Sequence, residues 1–143
     1  MTGHFLIDLT DPQFFVPDNA EVLEFIRRAN PFAHSDVGSV LFDVVKQIPG
    51  AQAYCPSVRS YAYVVLHTAA HRIFATAYDM RGLAVRLSAV PYAEALVAGG
   101  VDAAEIGADW VRIDPWGPRP TVGGKPYLVA VVTQAYNDAM GIP

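Results

Sequence analysis

A single cysteine, Cys55, stands in this chain of 143 residues, so no internal disulfide can staple the fold. Charge is sparse as well. Only 17% of the residues are charged and 52% are hydrophobic, which excludes a charge-solvated disordered polymer. No apolar run approaches the roughly 20 residues that cross a bilayer, so no membrane partner is expected. The opening "MTGHFLIDLTDP" has no basic stretch and meets Asp8 and Asp11 early, which speaks against a secretory leader. These absences lead to the expectation of a cytoplasmic protein. Its length fits one domain, residues 1–143, with room for a real core.

What charge there is lies unevenly. Residues 1–50 hold seven acids and three bases, and residues 91–143 hold six acids and three bases. Residues 51–90 hold four arginines against Asp79 alone. The net charge of −4 disfavours a general nucleic-acid binder, although the basic middle leaves a local contact open.

Periodicity gives the elements. Residues 1–17 read as an extended arm with apolar anchors. Asp18 and Glu21 form a capping-box pattern before Val22, Phe25, Ile26 and Ala29, which recur at helical spacing. A second helix from Ser35 or Asp36 carries the stripe Val37, Val40, Leu41, Val44, Val45 and Ile48, and Pro49-Gly50 stops it. The period then changes from 3.6 to 2. Residues 59–67 and 71–78 read as strands, a third follows "DMRGL", and "DWVRIDPW" supplies a fourth. Pro91 opens a short helix through Val97, with a further turn in "DAAE", and a last helix covers about 126–140. The order α-α-β-β-β-α-β-α predicts an α+β fold, a mainly antiparallel four-stranded sheet with helices packed on one face.

The stretch "HTAAHR" sets His67 and His71 four apart, a spacing that on a helix would let them share a metal. A β-hairpin accounts for it better. A two- or four-residue loop sets Leu66 opposite Ile73 and Val64 opposite Ala75. His67 then faces Arg72, Val65 faces Phe74, and Tyr61 faces Tyr78. The two histidines fall on different sides, because side chains alternate along a strand. No metal is expected. In the second hairpin the loop Met80–Gly82, with Gly82 left-handed, sets Ala77 opposite Val85 and Thr76 opposite Arg86. Ala62, Val64, Leu66, Ile73, Ala75, Val85, Leu87, Val111 and Ile113 then share one apolar face.

Catalytic patterns are thin. Cys55 has no histidine that the sequence sets beside it, so it reads as a small apolar residue. No serine occupies a nucleophile elbow. "VGGKP", residues 122–126, lacks the spacing of a phosphate loop and reads as a turn. Asp109 and Asp114 lie five apart on a strand and cannot act as a pair. No cofactor is expected.

Several segments resemble the MmcQ/YjbR-like proteins, relatives of the N-terminal domain of TfoX-like proteins. They are "VVKQIPGAQAY", "HRIFATAYDMRGLAVRLSAVPYAEAL", "DWVRIDPW" and "YLVAVVTQAYNDA". The resemblance covers residues 36–140 as the core, with residues 1–35 an N-terminal extension of arm plus helix. It implies a compact α+β fold and, by fold analogy, a double-wing-like DNA-binding role without agreed catalytic residues. The chain departs from the pattern at "HTAAHR", where the resemblance implies a Gly-Lys-like turn.

The second face of the sheet carries the candidate site: Arg59, Tyr61, Tyr63, His67, Arg72, Phe74, Tyr78, Arg86, Trp110 and Arg112. Cations interleaved with aromatic rings suit a protein or ligand partner, or stacked nucleotides. The N-terminal arm covering that face, or a homodimer pairing two such faces, are the alternatives. The expectation is a non-enzymatic binding or regulatory module for a protein or ligand. A nucleic-acid binder or a small-molecule binder is the second reading, and an enzyme the third.

Overall fold

The computed structural model describes residues 15–29, 35–54, 65–67, 71–79, 81–115 and 125–141. A 3-10 turn, Pro17–Asn19, leads into helix α1, Ala20–Ala29, and α2 follows as Ser35–Val45. Strands β1 (Gln52–Tyr54), β2 (Val65–His67), β3 (Ile73–Ala77) and β4 (Leu83–Arg86) come next. Then come α3 (Ala89–Val97), β5 (Val101–Asp102), β6 (Trp110–Ile113) and α4 (Lys125–Met140). The expected α+β class and its element order are present. Two short strands, β1 and β5, extend the four main ones at the edges. The sheet runs β1-β2-β3-β4-β6-β5, and every pairing is antiparallel.

The expected helical stripes are the buried ones. Val37, Leu41, Val44 and Ile48 are buried along α2 and beyond its end, and Leu128, Val131, Val132, Ala135 and Ala139 along α4. Helix α4 lies against β3 and β4, α2 against β1 and β3, and α3 against β6, and α4 touches both other helices. Pro91 is the third residue of α3 and not its first, a position whose amide has no intrahelical acceptor either.

Both hairpin registers differ from expectation by two residues. Leu66 pairs with Ala75 and Val65 with Thr76, and a bulge between Leu66 and His67 then sets His67 opposite Ile73. In the second hairpin Ala77 pairs with Leu83 and Ala75 with Val85, and the Tyr78 N–H donates to the Gly82 carbonyl. A shift of two keeps a side chain's face, because the strand period is two, whereas past the bulge His67 is shifted by one, to Ile73 in place of Arg72. The single apolar parity therefore holds: Ile73, Ala75, Val85, Leu87, Val111 and Ile113 are all buried. Ala62 and Val64 lie outside the described residues.

The bulge has a cause in the 3-10 turn. It brings the backbone of His71 and Ile73 to the Asn19 side chain. Asn19 is fully buried: its Nδ2 donates to the His71 carbonyl at 2.7 Å, and its Oδ1 accepts the Ile73 N–H at 2.8 Å. His71 holds a left-handed φ of 62°, the conformation that turns the chain toward that amide. One side chain thus acts as a short strand. The carboxylate of Asp18, expected to cap α1, instead reaches Arg72 at 3.3 Å.

Asn19→Ala should cost about 1–3 kcal/mol, because it removes the hydrogen bonds to the His71 carbonyl and to the buried Ile73 N–H. Urea denaturation of the two proteins measures it. Ile113→Ala should cost about 2–5 kcal/mol as a buried deletion in the sheet core, and the same measurement gives it.

Candidate functional site

The predicted arginine and aromatic face is an interior surface over most of its described length. Thr76, Ala84 and Arg112 share a row across β3, β4 and β6, and Arg86 sits beside Trp110 in the next. Thr76 and Ala84 are fully buried and Trp110 is 1% exposed. Helix α1 covers part of it, and α4 meets it at Phe74 and Arg72. Phe25 stacks on Tyr78, the rings 5.4 Å apart and 8° from parallel. Arg28 donates to the Glu105 carbonyl at 2.9 Å, and the Glu21 carboxylate lies over Gly107, where a Cβ would collide with it. Val22 and Phe25, the inward residues of α1, are both buried. The apolar stripe read from the sequence thus finds its partner on the face expected to bind one.

Two predicted site residues are therefore corrected. Trp110 is core, 1% exposed, and Phe74, fully buried, meets Tyr136 of α4 edge-on at 5.6 Å. Neither offers a surface to a partner. Tyr78 is half-buried under Phe25. His67 lies in β2, while Arg59, Tyr61 and Tyr63 fall outside the described residues, as does Cys55. Of "VGGKP", Lys125 and Pro126 begin α4, and the rest lies outside them too.

Each described arginine of the basic middle segment meets an acid drawn from the acidic flanks or from Asp79. Arg72 pairs with Asp18 at 3.3 Å, Arg81 with Asp114 at 3.2 Å, and Arg86 with Asp109 at 3.4 Å. Arg112 grips Asp79 with both Nε, at 2.8 Å, and Nη2, at 3.1 Å. Asp79 Oδ1 also accepts the backbone N–H groups of Gly82, at 2.7 Å, and Arg81, at 3.1 Å. Burial pushes the Asp79 carboxyl up, but the bonds from Arg112, Arg81 and Gly82 outweigh it and hold the carboxyl below its usual value of 3.8. The same hydrogen bond raises Arg112. Gly82 is not left-handed, as expected from the loop; it is needed for space. A Cβ there would stand 2.5 Å from Arg112 Nε and 2.9 Å from Asp79 Oδ1.

One end of this face stays open. Where β4 ends and β6 begins, Arg86, Leu87, Ser88, Asp109, Asp138 and Ala139 line a cleft of about 240 Å³. Leu87 and Ala139 form its apolar part, 2% and 5% exposed. Asp138 is a wall: its Oδ2 accepts the Ser88 N–H and its Oδ1 accepts Gln134 Nε2, both at 2.8 Å. Arg86 donates Nε to Asp109 at 3.4 Å and Nη1 to the Asp18 carbonyl at 3.2 Å, which leaves Nη2 for a ligand. The Arg86 and Asp109 side chains are 23% and 52% exposed, so both reach solvent. Sequence reasoning named Arg86 but missed Ser88, Asp109 and Asp138. Asp138 is 50 residues from Ser88 and carries no local motif.

A second exposed feature is apolar. Val90, Leu96 and Val97 of α3, with Val101 of β5, make four of the six large exposed hydrophobic residues among those described. Among the described residues no three His, Cys, Asp or Glu side chains gather as a metal site, and no helix is long and apolar enough to cross a membrane.

Compared with protein-family models, with curated proteins and with solved structures, the chain matches none.

Asp79 generates a pH prediction. Its folded pKa is depressed, so its contribution is present above the unfolded value near 4 and is lost as pH falls through the folded pKa. Melting temperature should fall from pH 5 to pH 3 less steeply in Asp79→Asn than in the wild type, with the wild type the more stable at neutral pH. Thermal melts across that range check it. Gly82→Ala should lower stability by about 1–3 kcal/mol, because the added methyl displaces Arg112 from Asp79.

Proposed function

We propose that the protein is a non-enzymatic binding or regulatory module whose ligand occupies the cleft beside Arg86. The reading keeps the binding role expected from the sequence and moves it from the middle of the arginine face to its open end. One observation carries it: Arg86 and Asp109 form a solvent-reached charge pair beside an apolar floor, with a guanidinium nitrogen to spare. A few fixed polar groups against an apolar wall is the usual build of a ligand site. At about 240 Å³ the cleft is smaller than the roughly 300–1,000 Å³ of drug-sized sites, so its ligand is small.

The nucleic-acid alternative, which the MmcQ/YjbR-like resemblance implies, gains less support. Phosphate contacts need cations that can exchange counterions for the backbone. Arg72, Arg81, Arg86 and Arg112 each have an acid within 3.5 Å. The rings expected to stack on bases are turned inward at Phe74 and Trp110. A protein partner is favoured by a separate observation, the exposed valines of α3 and β5.

A small-fragment screen by amide NMR on the full chain tests the proposal. Hits should move the amides of Ser88, Asp109 and Ala139, and Arg86→Ala should weaken them at least tenfold, about 1.4 kcal/mol. Hits that gather on Val90 and Val97 instead would favour the protein-contact reading. A tight shift of arginine side-chain signals on adding duplex DNA at physiological salt would put the nucleic-acid reading first.

A further inference from the structure

Helix α3 is apolar on both of its sides, and its own chain covers only one. The inner side carries Ala95, 2% exposed, and Tyr92, half-buried and packed against the core. The outer side carries Val90, Ala93, Glu94, Leu96 and Val97, all exposed, with Val90 at 69% and Val97 at 88%. Val90, Glu94 and Val97 follow one another at helical spacing, and Ala93 and Leu96 form the neighbouring row. The helix itself therefore sets these side chains side by side over about 10 Å. The other helices turn polar residues outward: Glu21, Glu24 and Arg28 on α1, Ser39 and Asp43 on α2, Gln134 and Asn137 on α4. A helix that is apolar all round belongs inside an assembly, and α3 is only half enclosed. Its outer side shares no residue with the Arg86 cleft.

Charge decides what fits this side. Residues 87–111 hold Glu94, Asp102, Glu105 and Asp109 and no lysine, arginine or histidine. The rest of the chain holds ten acids and ten bases, so the whole formal charge of −4 comes from this one segment. Asp109 is paired with Arg86, whereas Glu94 and Asp102 are exposed and enter no ion pair among the described residues. We propose that the outer side of α3 docks a basic amphipathic helix of another protein, its apolar stripe along Val90, Ala93 and Val97 and its lysines or arginines on Glu94. The small Ala93, between larger neighbours, gives the two helices their point of closest approach. A helix laid along another is read through anchors at this spacing. A second copy of the chain fits worse: two α3 helices crossing at their middles set Glu94 against Glu94, with no base in either segment to answer. Nucleic acid and anionic membranes meet the same carboxylates and are repelled.

Calorimetry and amide NMR on the full chain test this. The probe is a helical peptide with a leucine stripe flanked by lysines. One control replaces the lysines with glutamates, and a second keeps the composition but disperses the leucines around the helix. The lysine peptide should move the amides of Val90, Ala93 and Val97 and should bind more weakly as salt rises. Each control should bind at least about tenfold more weakly. Val97→Ser, at a position 88% exposed, should weaken the lysine peptide about tenfold while leaving the melting temperature nearly unchanged. Glu94→Gln should weaken it and flatten its salt dependence. Equal binding of the glutamate peptide would mean that the face reads apolar surface alone and would overturn the proposal. Shifts spread over other acids and indifferent to Val97→Ser would overturn it as general charge attraction. A concentration-dependent dimer in sedimentation, abolished by Val97→Ser, would make a second copy the cover and overturn it too. Binding through these residues to vesicles of anionic lipid, with the peptide unbound, would do the same. No binding of the lysine peptide overturns the proposal and leaves the Arg86 cleft untouched.

Discussion

The buried amide of Asn19 is the contact on which the arrangement of this protein depends. A bulge in the β2–β3 ladder brings the His71 carbonyl and the Ile73 N–H to Asn19, which bonds both, at 2.7 and 2.8 Å. That fixes the chain just before helix α1 against the start of strand β3, 54 residues later in sequence. Once Asn19 is seated, Asp18 comes to Arg72, the Asp18 carbonyl comes to Arg86, and Phe25 comes to Tyr78. A buried polar group that finds all its partners specifies position more sharply than apolar contact does. Helix α1 is thereby held over Tyr78.

The charge pattern follows from the same geometry. The basic middle of the chain lies between two acidic segments, and the fold brings them together: Asp18 from the first, and Asp109 and Asp114 from the last, each meet an arginine of the middle. What resembles a basic binding stripe in one dimension becomes a set of internal neutralisations in three. Half-exposed ion pairs of this kind add little stability one by one. Their effect is to fix orientation and to leave, among the described residues, Arg86 with a donor to spare. The proposed ligand site is that remainder, at the point where α1 no longer covers the sheet and α4 ends.

Much of the fold was legible because it is written in short-range periodicity. The helical stripes of α2 and α4, the parity of Ile73, Val85, Val111 and Ile113, and the order of elements all come from spacings within one element. Hairpin register was not legible to the residue, because a loop shifted by one position at each end keeps the same alternation. Gly82 suggested a left-handed turn, yet its reason is the Arg112 guanidinium packed against it, and no local signal announces that. The site was half legible. Arg72 and Arg86 were found by sign and parity, whereas Asp109, Asp138 and Ser88 meet only through tertiary packing. A further departure, Tyr78 as a half-buried ring and not an open binding surface, comes from the amphipathic helix α1. Its apolar stripe required a partner, and the sequence did not say which face would supply it.

The central claim is that α1 is an integral layer over the arginine and aromatic face, held by Asn19, and not a removable arm. Native-state hydrogen exchange on the full chain tests it most directly. The account predicts that the Ile73 amide and the central amides of α1 exchange together with those of β4 and β6, at the free energy of global unfolding. Exchange of α1 and Ile73 by a separate, low-energy opening, with β4 and β6 still protected, would contradict it and return that face to the list of accessible binding surfaces.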